Sequence, residues 1–529
     1  MKFTSLVIFF ILHIVFIVKQ LNGARILAVK VVPSYSHQLP FRPLWKELHK
    51  RGHEIVLIAP DTMPDINLTN FRQISINSGY KQFREMNFVN YRLNNVSWIS
   101  LVKENMDEYG KMFIEHALSN PEVKDLYAPE SKEKFDVVLV ELHYMPAIHM
   151  LAHRFNAPLI GLCSFGIPTI DEYLLGGFVM PSHLGTWEME GNVGTNLTFW
   201  KRLENFWIVW HWIYVTYRDY MPRQQRIAEE YFGKPLPSVL DFLRNISLVF
   251  VNQDPIMSYA RPSLPNVIMF HSTHISKNVE PLPQDLKRFV DNATNGFIYM
   301  SFGTNVKFTY LPENIQQIFH DVFAKLPYKI VMKLENASQT YENVYIAKWL
   351  PQQSILAHPN LKLYIFQGGL QSTQEAIHYA VPLLGFPMLS DQNYQLRMIE
   401  SHGVGRGMDI LNLSREKLES TIREIINDKR YKENMIKLRI RVNDTPYDLL
   451  QNLVWWTEYV IRNRGAPQFN NSLAWQPWYQ YCDMDIIVFL SIVTFIVALI
   501  VLIISVKLLI YIYKRWSKVS PTNLKKKKS

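Results

Sequence analysis

The residues best placed to do chemistry surround a glycine pair in the second half of the chain. Leu361–Phe366 is an apolar run apart from Lys362, and Gly368 and Gly369 separate it from a helical stretch at 370–380. This order of elements can hold a phosphate, because glycine lets an anion approach the backbone and the free amides of the helix's first turn face it. Without further support, such a pair more often marks only a tight turn.

A second candidate group lies near the start of the chain. Residues 25–32 indicate a buried strand, 41–51 an amphipathic helix and Glu54–Ala59 the next strand. The loop at 33–40 therefore lies at the carboxyl edge of the sheet, where ligands of doubly wound folds bind. It carries His37, whose imidazole can accept a proton near neutral pH, although a loop histidine is more often a surface group or a helix cap.

A carboxylate follows another predicted strand at the same edge. Residues 135–140 form the strand, and Glu141 follows at its carboxyl end. Asp136 begins the strand, lies at the opposite edge and is predicted to be structural. Glu141 is either the acid that orients His37 or a solvated loop carboxylate.

Around these groups the hydrophobic pattern predicts alternating strands and helices. The predicted helices lie at 352–358, 312–324, 413–427, 432–442 and 448–462, and further strands lie at 296–300, 328–333 and 383–386. The loop at 33–40 contains no glycine, which excludes the G-x-G-x-x-G turn of a nicotinamide-dependent dehydrogenase.

The spacing of residues 349–392 resembles, without a gap, the donor-binding signature of the UDP-glycosyltransferase family. By that resemblance, contacts to the UDP-sugar would come from Trp349 at uracil, Gln352 beside the uridine, Ser372 at phosphate, Glu375 at the ribose hydroxyls, and Asp391 with Gln392 at the sugar hydroxyls. These pairings have a chemical basis, since an indole suits a flat base and a carboxylate accepts hydrogen bonds from vicinal hydroxyls.

Two further elements of the second half extend the resemblance. Ser301, Gly303 and Thr304 match the family's SxGS element beside the nucleotide. The family usually has His directly before the glycine pair, in contact with the pyrophosphate, and this chain has Gln367. A glutamine amide donates a hydrogen bond but carries no charge, and because invertebrate branches of the family carry Gln here, the resemblance points to that branch.

The first half also matches the family. Ser36 and His37 match its N-terminal Ser-His, in which the histidine is the general base, and Glu141 stands where the family commonly has Asp. The resemblance implies an inverting transfer without a metal ion. UDP-sugar is then a co-substrate and no cofactor is expected.

The distribution of charge and the number of cysteines argue against a nucleic-acid-binding protein, a disulfide-stabilised fold and a cysteine-based metal site. Eight of the ten net positive charges lie in the tail from Lys507 onward, so the rest of the chain offers no basic surface for nucleic acid. Cys163 and Cys482 are the two cysteines, which excludes a disulfide framework and a cysteine-based metal site.

Both ends of the chain carry targeting features. Residues 1–23 resemble a signal peptide, and residues 486–506 are apolar over ~30 Å of helix, enough to span a bilayer. The positive-inside rule puts the basic tail in the cytosol and the bulk in the lumen. Lys526 and Lys527 resemble a dilysine retrieval signal of the endoplasmic reticulum, unless they only contact anionic lipid. The glycosylation sequons at Asn67, Asn95, Asn196, Asn245 and Asn292 agree with lumenal exposure.

The predicted fold class is α/β, and the resemblance implies two Rossmann-like domains facing across a cleft, the GT-B arrangement, plus one C-terminal transmembrane helix. The predicted segments are a signal peptide at 1–23, an acceptor-binding domain at 24–280, a UDP-sugar-binding domain at 281–445, a returning helix and juxtamembrane segment at 446–485, a transmembrane helix at 486–506 and a cytosolic tail at 507–529. The aromatic runs at 81–118 and 167–220 pack in the core by default, or else form an apolar acceptor cleft or a surface on the membrane.

The predicted function is transfer of glucuronosyl or glucosyl from a UDP-sugar to a hydroxyl of a small lipophilic acceptor, as in detoxification. The expected partners are the UDP-sugar, the acceptor and the membrane, with a homo-oligomer left open. Two alternatives remain at this point. One is a non-catalytic membrane-anchored binder of hydrophobic molecules, and the other is a transferase that acts on lipid or protein glycans.

Overall fold

A computed structural model of the chain describes residues 23–64, 69–94, 96, 100, 108–177, 179–183, 187–188, 196–334, 342–388 and 391–519. The chain divides after Asn471 into two units, which are described separately. Residues 1–22 of the predicted signal peptide, the sequons at Asn67 and Asn95, and the tail from residue 520 lie outside the described residues.

The first unit contains two sheets, and all strand pairs in both are parallel. The first sheet has seven strands in the order β3-β2-β1-β4-β5-β6-β7. Its strands are β1 (Arg25–Val29), β2 (Glu54–Ala59), β3 (Phe71–Ser75), β4 (Val137–Glu141), β5 (Leu159–Cys163), β6 (Leu248–Asn252) and β7 (Val267–Phe270). Apart from the edge strand β3, which carries Arg72, Gln73 and Ser75, these strands are mostly apolar, as a sheet covered on both faces requires.

The second sheet has six strands in the order β10-β9-β8-β11-β12-β13. Its strands are β8 (Phe297–Ser301), β9 (Lys329–Lys333), β10 (Val344–Ala347), β11 (Leu361–Phe366), β12 (Leu383–Gly385) and β13 (Gly405–Gly407). In each sheet the direction in which successive strands are added reverses once, between β1 and β4 in the first sheet and between β8 and β11 in the second. Open α/β sheets bind their ligands at such a point of reversal.

Helices cover both faces of both sheets. Those with the first sheet are α1 (Tyr35–Gln38), α2 (Arg42–Lys50), α3 (Gly79–Glu85), α4 (Phe88–Leu93), α5 (Gly110–Leu118), α6 (Pro121–Tyr127), α7 (Met150–Arg154), α8 (Thr169–Leu174), α9 (Phe199–Val215), α10 (Met221–Phe232) and α11 (Val239–Arg244). Those that follow are α12 (Gln284–Asp291), α13 (Glu313–Lys325), α14 (Gln352–Leu356), α15 (Leu370–His378), α16 (Gln392–Ser401), α17 (Arg415–Asn427), α18 (Lys429–Asn443) and α19 (Leu449–Asn463).

The last of these helices, α19, returns from the second sheet to the first. Leu453, Val454 and Val460 are fully buried in one hydrophobic cluster with residues of β1, β2 and α2. At the same contact, Glu458 accepts a hydrogen bond from Arg51 at 3.0 Å. The first lobe therefore consists of the first sheet with its helices and α19, and the second lobe consists of the second sheet with α12 to α18.

The predicted α/β class with two parallel sheets is confirmed, and the differences are local. The predicted strand at 25–32 ends at Val29, and the predicted loop at 33–40 contains the short helix α1. The strand predicted at 135–140 begins at Val137 and includes Glu141 as its last residue. The predicted core packing of the aromatic run is correct for Trp212 and wrong for Trp200 and Trp207, which are exposed on α9.

The second unit is dominated by one long helix. After α20 (Trp478–Tyr481), helix α21 runs from Met484 to Val519 and includes the predicted transmembrane segment. Within the described residues it is the one helix long and apolar enough to cross a membrane, and its apolar side chains are exposed.

Candidate active site

Glu141 and His37 meet at the carboxyl edge of the first sheet. The Nδ1 atom of His37, on α1, lies 2.9 Å from Oε1 of Glu141. The Glu141 side chain is only 1% exposed, which rules out the solvated loop carboxylate considered from the sequence. The carboxylate therefore orients the imidazole, so that Nδ1 carries the proton and Nε2 is the basic nitrogen.

Three more donors hold the Glu141 carboxylate. Lys30 donates to Oε1 at 2.9 Å, and the backbone amides of Val31 and Val32 each donate to Oε2 at 3.1 Å. Burial alone would raise the pKa of Glu141, but the charge of Lys30 and the hydrogen bonds from His37 and Lys30 lower that pKa well below its usual range. The carboxylate is therefore ionised at neutral pH.

Two neighbouring rings contact the imidazole of His37. The His37 ring makes edge-on contacts with His143 and Phe165, at centroid distances of 5.6 and 5.5 Å. Burial and the neighbouring His37 lower the pKa of His143 to about 3, so His143 is neutral at physiological pH. Of the two histidines, His37 is the one whose ring nitrogen lies within hydrogen-bond distance of the Glu141 carboxylate.

The glycine pair adopts the turn predicted from the sequence. Gly368 has a φ of +90°, and a Cβ atom there would lie 3.2 Å from the carbonyl oxygen of Gln392. Glycine is therefore required for both the backbone angle and the close approach of α16. Gly369 then precedes the first turn of α15, whose residues Leu370, Gln371 and Ser372 line the cleft.

Gln367 lies directly before this turn and is 93% buried, facing the Gly303 turn after β8. Gly303 has a φ of +77°, and a Cβ atom there would collide with the Gln367 amide nitrogen. Ser301 and Thr304 flank Gly303 and line the same cleft. The two glycine turns of the second lobe therefore lie side by side, with the Gln367 amide between them.

Glu375, on α15, belongs to a hydrogen-bond network with Gln352. The Gln352 amide nitrogen donates to Glu375 at 2.6 Å and to Ser372 at 3.0 Å. Its oxygen accepts from the hydroxyls of Tyr299 and Tyr364 at 3.2 and 2.9 Å. This network orients a carboxylate and a hydroxyl toward the cleft, the arrangement expected for ribose and phosphate.

Trp349 lies at the mouth of the cleft and is 63% exposed, so its indole is available to a planar ligand. The Lys333 ammonium group lies 4.8 Å from its ring centroid and donates to the Gly303 carbonyl at 2.6 Å. Tyr35, from the first lobe, meets the indole edge-on at 5.9 Å.

Asp391 and Gln392 lie at the start of α16. The Gln392 oxygen accepts a hydrogen bond from the Met388 amide at 2.8 Å, which fixes the side chain. Asp391 is half-buried, and desolvation in the cleft raises its pKa to about 7.

One cavity of about 540 Å³ joins all of these groups. Its described lining includes every predicted site residue except two. Glu141 is buried behind His37, and Gly368 shapes the turn through its φ. The predicted residues that line the cavity are Ser36, His37, Ser301, Gly303, Thr304, Trp349, Gln352, Gln367, Gly369, Ser372, Glu375, Asp391 and Gln392. Hydrogen bonds from Asn305 to Ser34 and from Gln371 to the Ser164 carbonyl, at 2.9 and 3.0 Å, connect the two lobes beside it. The cavity is thus an interlobe cleft.

The model of the family described as UDP-glucoronosyl and UDP-glucosyl transferase matches residues 25–522. The chain belongs to this family. It is therefore a UDP-glycosyltransferase, which transfers a sugar from a UDP-sugar, its co-substrate.

Relatives and solved structures agree with this assignment. UDP-glucosyltransferase 2 of Dactylopius coccus is 30% identical over 514 residues and covers 96% of each chain. UDP-glucuronosyltransferase 3A1 of Mus musculus is 27% identical over 509 residues and covers 92% of each. The solved glycosyltransferase VinC in complex with dTDP is 15% identical with a TM-score of 0.55, over 83% of this chain and 100% of that one, and it confirms the predicted GT-B fold.

Several residues of the candidate site in this UDP-glycosyltransferase were not predicted from the sequence. They are Lys30, His143, Phe165, Asn305, Lys333 and Gln371. For Lys30 the sequence does contain one indication, since a lysine directly follows a buried apolar strand. Its partner Glu141 could not be identified in the same way, because it lies 111 positions further along the chain. Within the described residues, no group of three or more His, Cys, Asp or Glu side chains could hold a metal ion.

The raised pKa of Asp391 predicts that donor affinity depends on pH. Below about pH 7 the empty site holds a neutral carboxyl, a poorer acceptor for sugar hydroxyls than the carboxylate. We expect the Kd of UDP-glucose, measured calorimetrically, to rise by up to about tenfold per pH unit between pH 7 and pH 5. An unchanged Kd over this range would contradict a sugar contact by ionised Asp391, and Asp391→Asn is the control that should remove the dependence.

Proposed function

We propose that this UDP-glycosyltransferase transfers a neutral hexose, glucose in the first instance, to a hydroxyl of a small lipophilic acceptor with inversion at the anomeric carbon. The observation that carries the proposal is the single cleft in which His37, oriented by Glu141, faces the donor groups of the second lobe. We assign the acceptor to residues 24–280 and the UDP-sugar to residues 281–445.

In the proposed reaction, Nε2 of His37 accepts the proton of the acceptor hydroxyl. The hydroxyl oxygen forms a bond to the anomeric carbon while the bond from that carbon to the UDP oxygen breaks. Nδ1 stays bonded to Glu141 at 2.9 Å, so the ionised carboxylate stabilises the imidazolium as it forms.

Groups of the second lobe stabilise the negative charge that develops on the diphosphate. The amides of the first turn of α15 after Gly369, with the Ser372 hydroxyl and the Gln367 amide, line the cleft at that point. By the family resemblance, Trp349 stacks on uracil, and Gln352 with Glu375 holds the ribose. Asp391 and Gln392 then orient the hexose toward His37.

The walls of the cleft in the first lobe support a small apolar acceptor. Phe83, Met86, Phe88, Phe113 and Phe165 line it and form an apolar pocket beside His37. Such a pocket favours a flat or apolar alcohol or phenol over an extended glycan, which would need polar partners along its length.

The charges in the cleft support a neutral hexose as the transferred sugar. Lys333 is the one lysine or arginine among the described residues that line the cavity, and it lies beside Trp349, at the nucleobase end. At the sugar end, the acidic Asp391 would repel the carboxylate of glucuronate. The relative from Dactylopius coccus, named a UDP-glucosyltransferase, supports the same choice.

A non-catalytic binder remains the rival from a different class. The four hydrogen-bond donors to Glu141 argue against this alternative. A buried ionised carboxylate is costly, and a protein without catalytic activity would not require one that is hydrogen-bonded to His37.

We expect His37→Ala to lower kcat by about 10²- to 10⁴-fold, the usual contribution of a general base, while UDP still binds. Product formation with a phenol acceptor and calorimetry with UDP measure the two effects. His153→Ala is the matched control, since His153 is exposed on α7, and it should retain wild-type turnover. Near-normal turnover of His37→Ala would remove His37 from the mechanism, and an inactive wild-type chain that binds UDP would favour the rival binder.

The donor preference is a separate prediction. With one phenol acceptor, we expect kcat/KM for UDP-glucose to exceed that for UDP-glucuronate by at least about tenfold, because the carboxylate of glucuronate has no cation to pair with at the sugar end. Parallel assays with the two radiolabelled donors measure the ratio. A ratio in favour of UDP-glucuronate would refute the neutral-hexose proposal and leave the transfer reaction standing.

We also place the enzyme in the endoplasmic reticulum membrane as a single-pass type I protein with both lobes in the lumen. The support is the apolar helix α21, the lysine-rich tail predicted to be cytosolic, and the exposed sequons at Asn196, Asn245 and Asn292. In intact microsomes we expect both lobes to resist added protease and to carry glycans that endoglycosidase H removes. Digestion of both lobes without detergent would reverse the proposed orientation.

A further inference from the structure

Lys30 is a buried lysine next to the proposed base. Its side chain is 1% exposed, and its Nζ atom lies 2.9 Å from Oε1 of Glu141. The same oxygen lies 2.9 Å from Nδ1 of His37. One carboxylate oxygen therefore bridges the Lys30 ammonium group and the imidazole that is proposed to gain a proton.

This contact follows from the pairing of β1 with β4. Val29 pairs with Val140 in parallel register, so the next residues along the two strands, Lys30 and Glu141, lie opposite each other. The residues before them on that face, among them Ile26 and Leu139, are fully buried and apolar, and the Lys30 ammonium lies 4.8 Å from the Phe41 ring centroid. Burial lowers the pKa of Lys30, and Glu141 opposes that change.

The charge balance at this point depends on Lys30. With the lysine present, the buried pair is neutral overall, and the imidazole can remain neutral as well. Without it, the buried carboxylate would lack a counter-charge, and a proton on His37 would supply one, because a lone charge in the interior is costly. A protonated His37 cannot accept the proton of an acceptor.

We propose that Lys30 is a positioning residue of the transfer reaction, which neutralises the buried Glu141 carboxylate and so keeps His37 unprotonated before the acceptor binds. The inference rests on the proposed function, in which His37 is the base. During transfer the acceptor proton passes to Nε2 of His37, Nδ1 keeps its own proton toward Glu141, and Lys30 stays charged throughout.

Other titratable groups face His37 or its partner from each neighbouring element. After β4, His143 and His149 have pKa values lowered by burial to about 3 and about 4, and both are neutral in the relevant range. At the end of β5, burial raises the pKa of Cys163 well above its usual value. From the second lobe, Asp391 and Glu375 line the same cavity. Asp391, with a pKa raised to about 7, titrates in the measured range but is present in every variant below.

The test is the pH profile of kcat/KM for a phenol acceptor, at saturating UDP-glucose, with the full-length chain in membranes. We expect Lys30→Met to move the acidic limb upward by about one pH unit, because the His37–Glu141 pair then binds its proton at higher pH. Above the new limb the rate should approach that of the wild type. Lys30→Arg keeps the charge and should restore the wild-type position of the limb.

Two controls separate this effect from a general structural one. In a Glu141→Gln background, Lys30→Met should move the limb by less than half as much, since the carboxylate through which Lys30 acts is gone. Asp136→Asn removes a carboxylate that accepts from the Arg25 amide at the opposite edge of the same strand pair, and it should leave the limb in place.

An unmoved acidic limb in a Lys30→Met chain that still binds UDP would overturn the proposal. If that variant does not fold, Lys30→Gln, which keeps a neutral donor to Glu141, provides the same test. If neither neutral variant folds while Lys30→Arg does, Lys30 serves folding alone and the proposal also fails. A wild-type chain that transfers no sugar would instead count against the proposed function.

Discussion

The parallel pairing of β1 with β4 places the Glu141 carboxylate among four hydrogen-bond donors in the interior of the first lobe. A buried carboxylate is stable only when it is paired and fully hydrogen-bonded. Lys30, His37 and two backbone amides meet that requirement together. The arrangement fixes the orientation of the imidazole, and the rest of the cleft is built to face it.

In the proposed function, the second lobe meets a different requirement, that of holding an anion without a dense positive charge. Two glycine turns, after β8 and after β11, lie side by side and leave the first turn of α15 open to the cleft. The Gln352 network then holds Glu375 and Ser372 in place from behind. If the donor diphosphate binds here as proposed, backbone amides and neutral side chains take much of the role that cations play in other phosphate sites.

The two halves of the site differed in how far they could be predicted. Strand β11, the Gly368 turn and helix α15 were predicted to within two residues, because each is encoded by a short stretch with a clear period and clear end signals. The loop at 33–40 was predicted without the helix α1 that carries His37, since a single helical turn leaves almost no periodicity. Glu141 was placed just after the strand, with a solvated loop carboxylate left open, although it is the last residue of the strand and is buried.

Spacing along the chain was sufficient for the family, the fold class and the long apolar helix, because all of these depend on neighbours within about forty positions. The interaction of Lys30 with Glu141, the enclosure of His37 by His143 and Phe165, and the contacts from Gln371 and Asn305 across the cleft appeared only in the folded chain. Each of them joins residues brought together by strand register or by the approach of the two lobes. Register is a property of two strands at once, and no pattern within either strand encodes which residue will lie opposite.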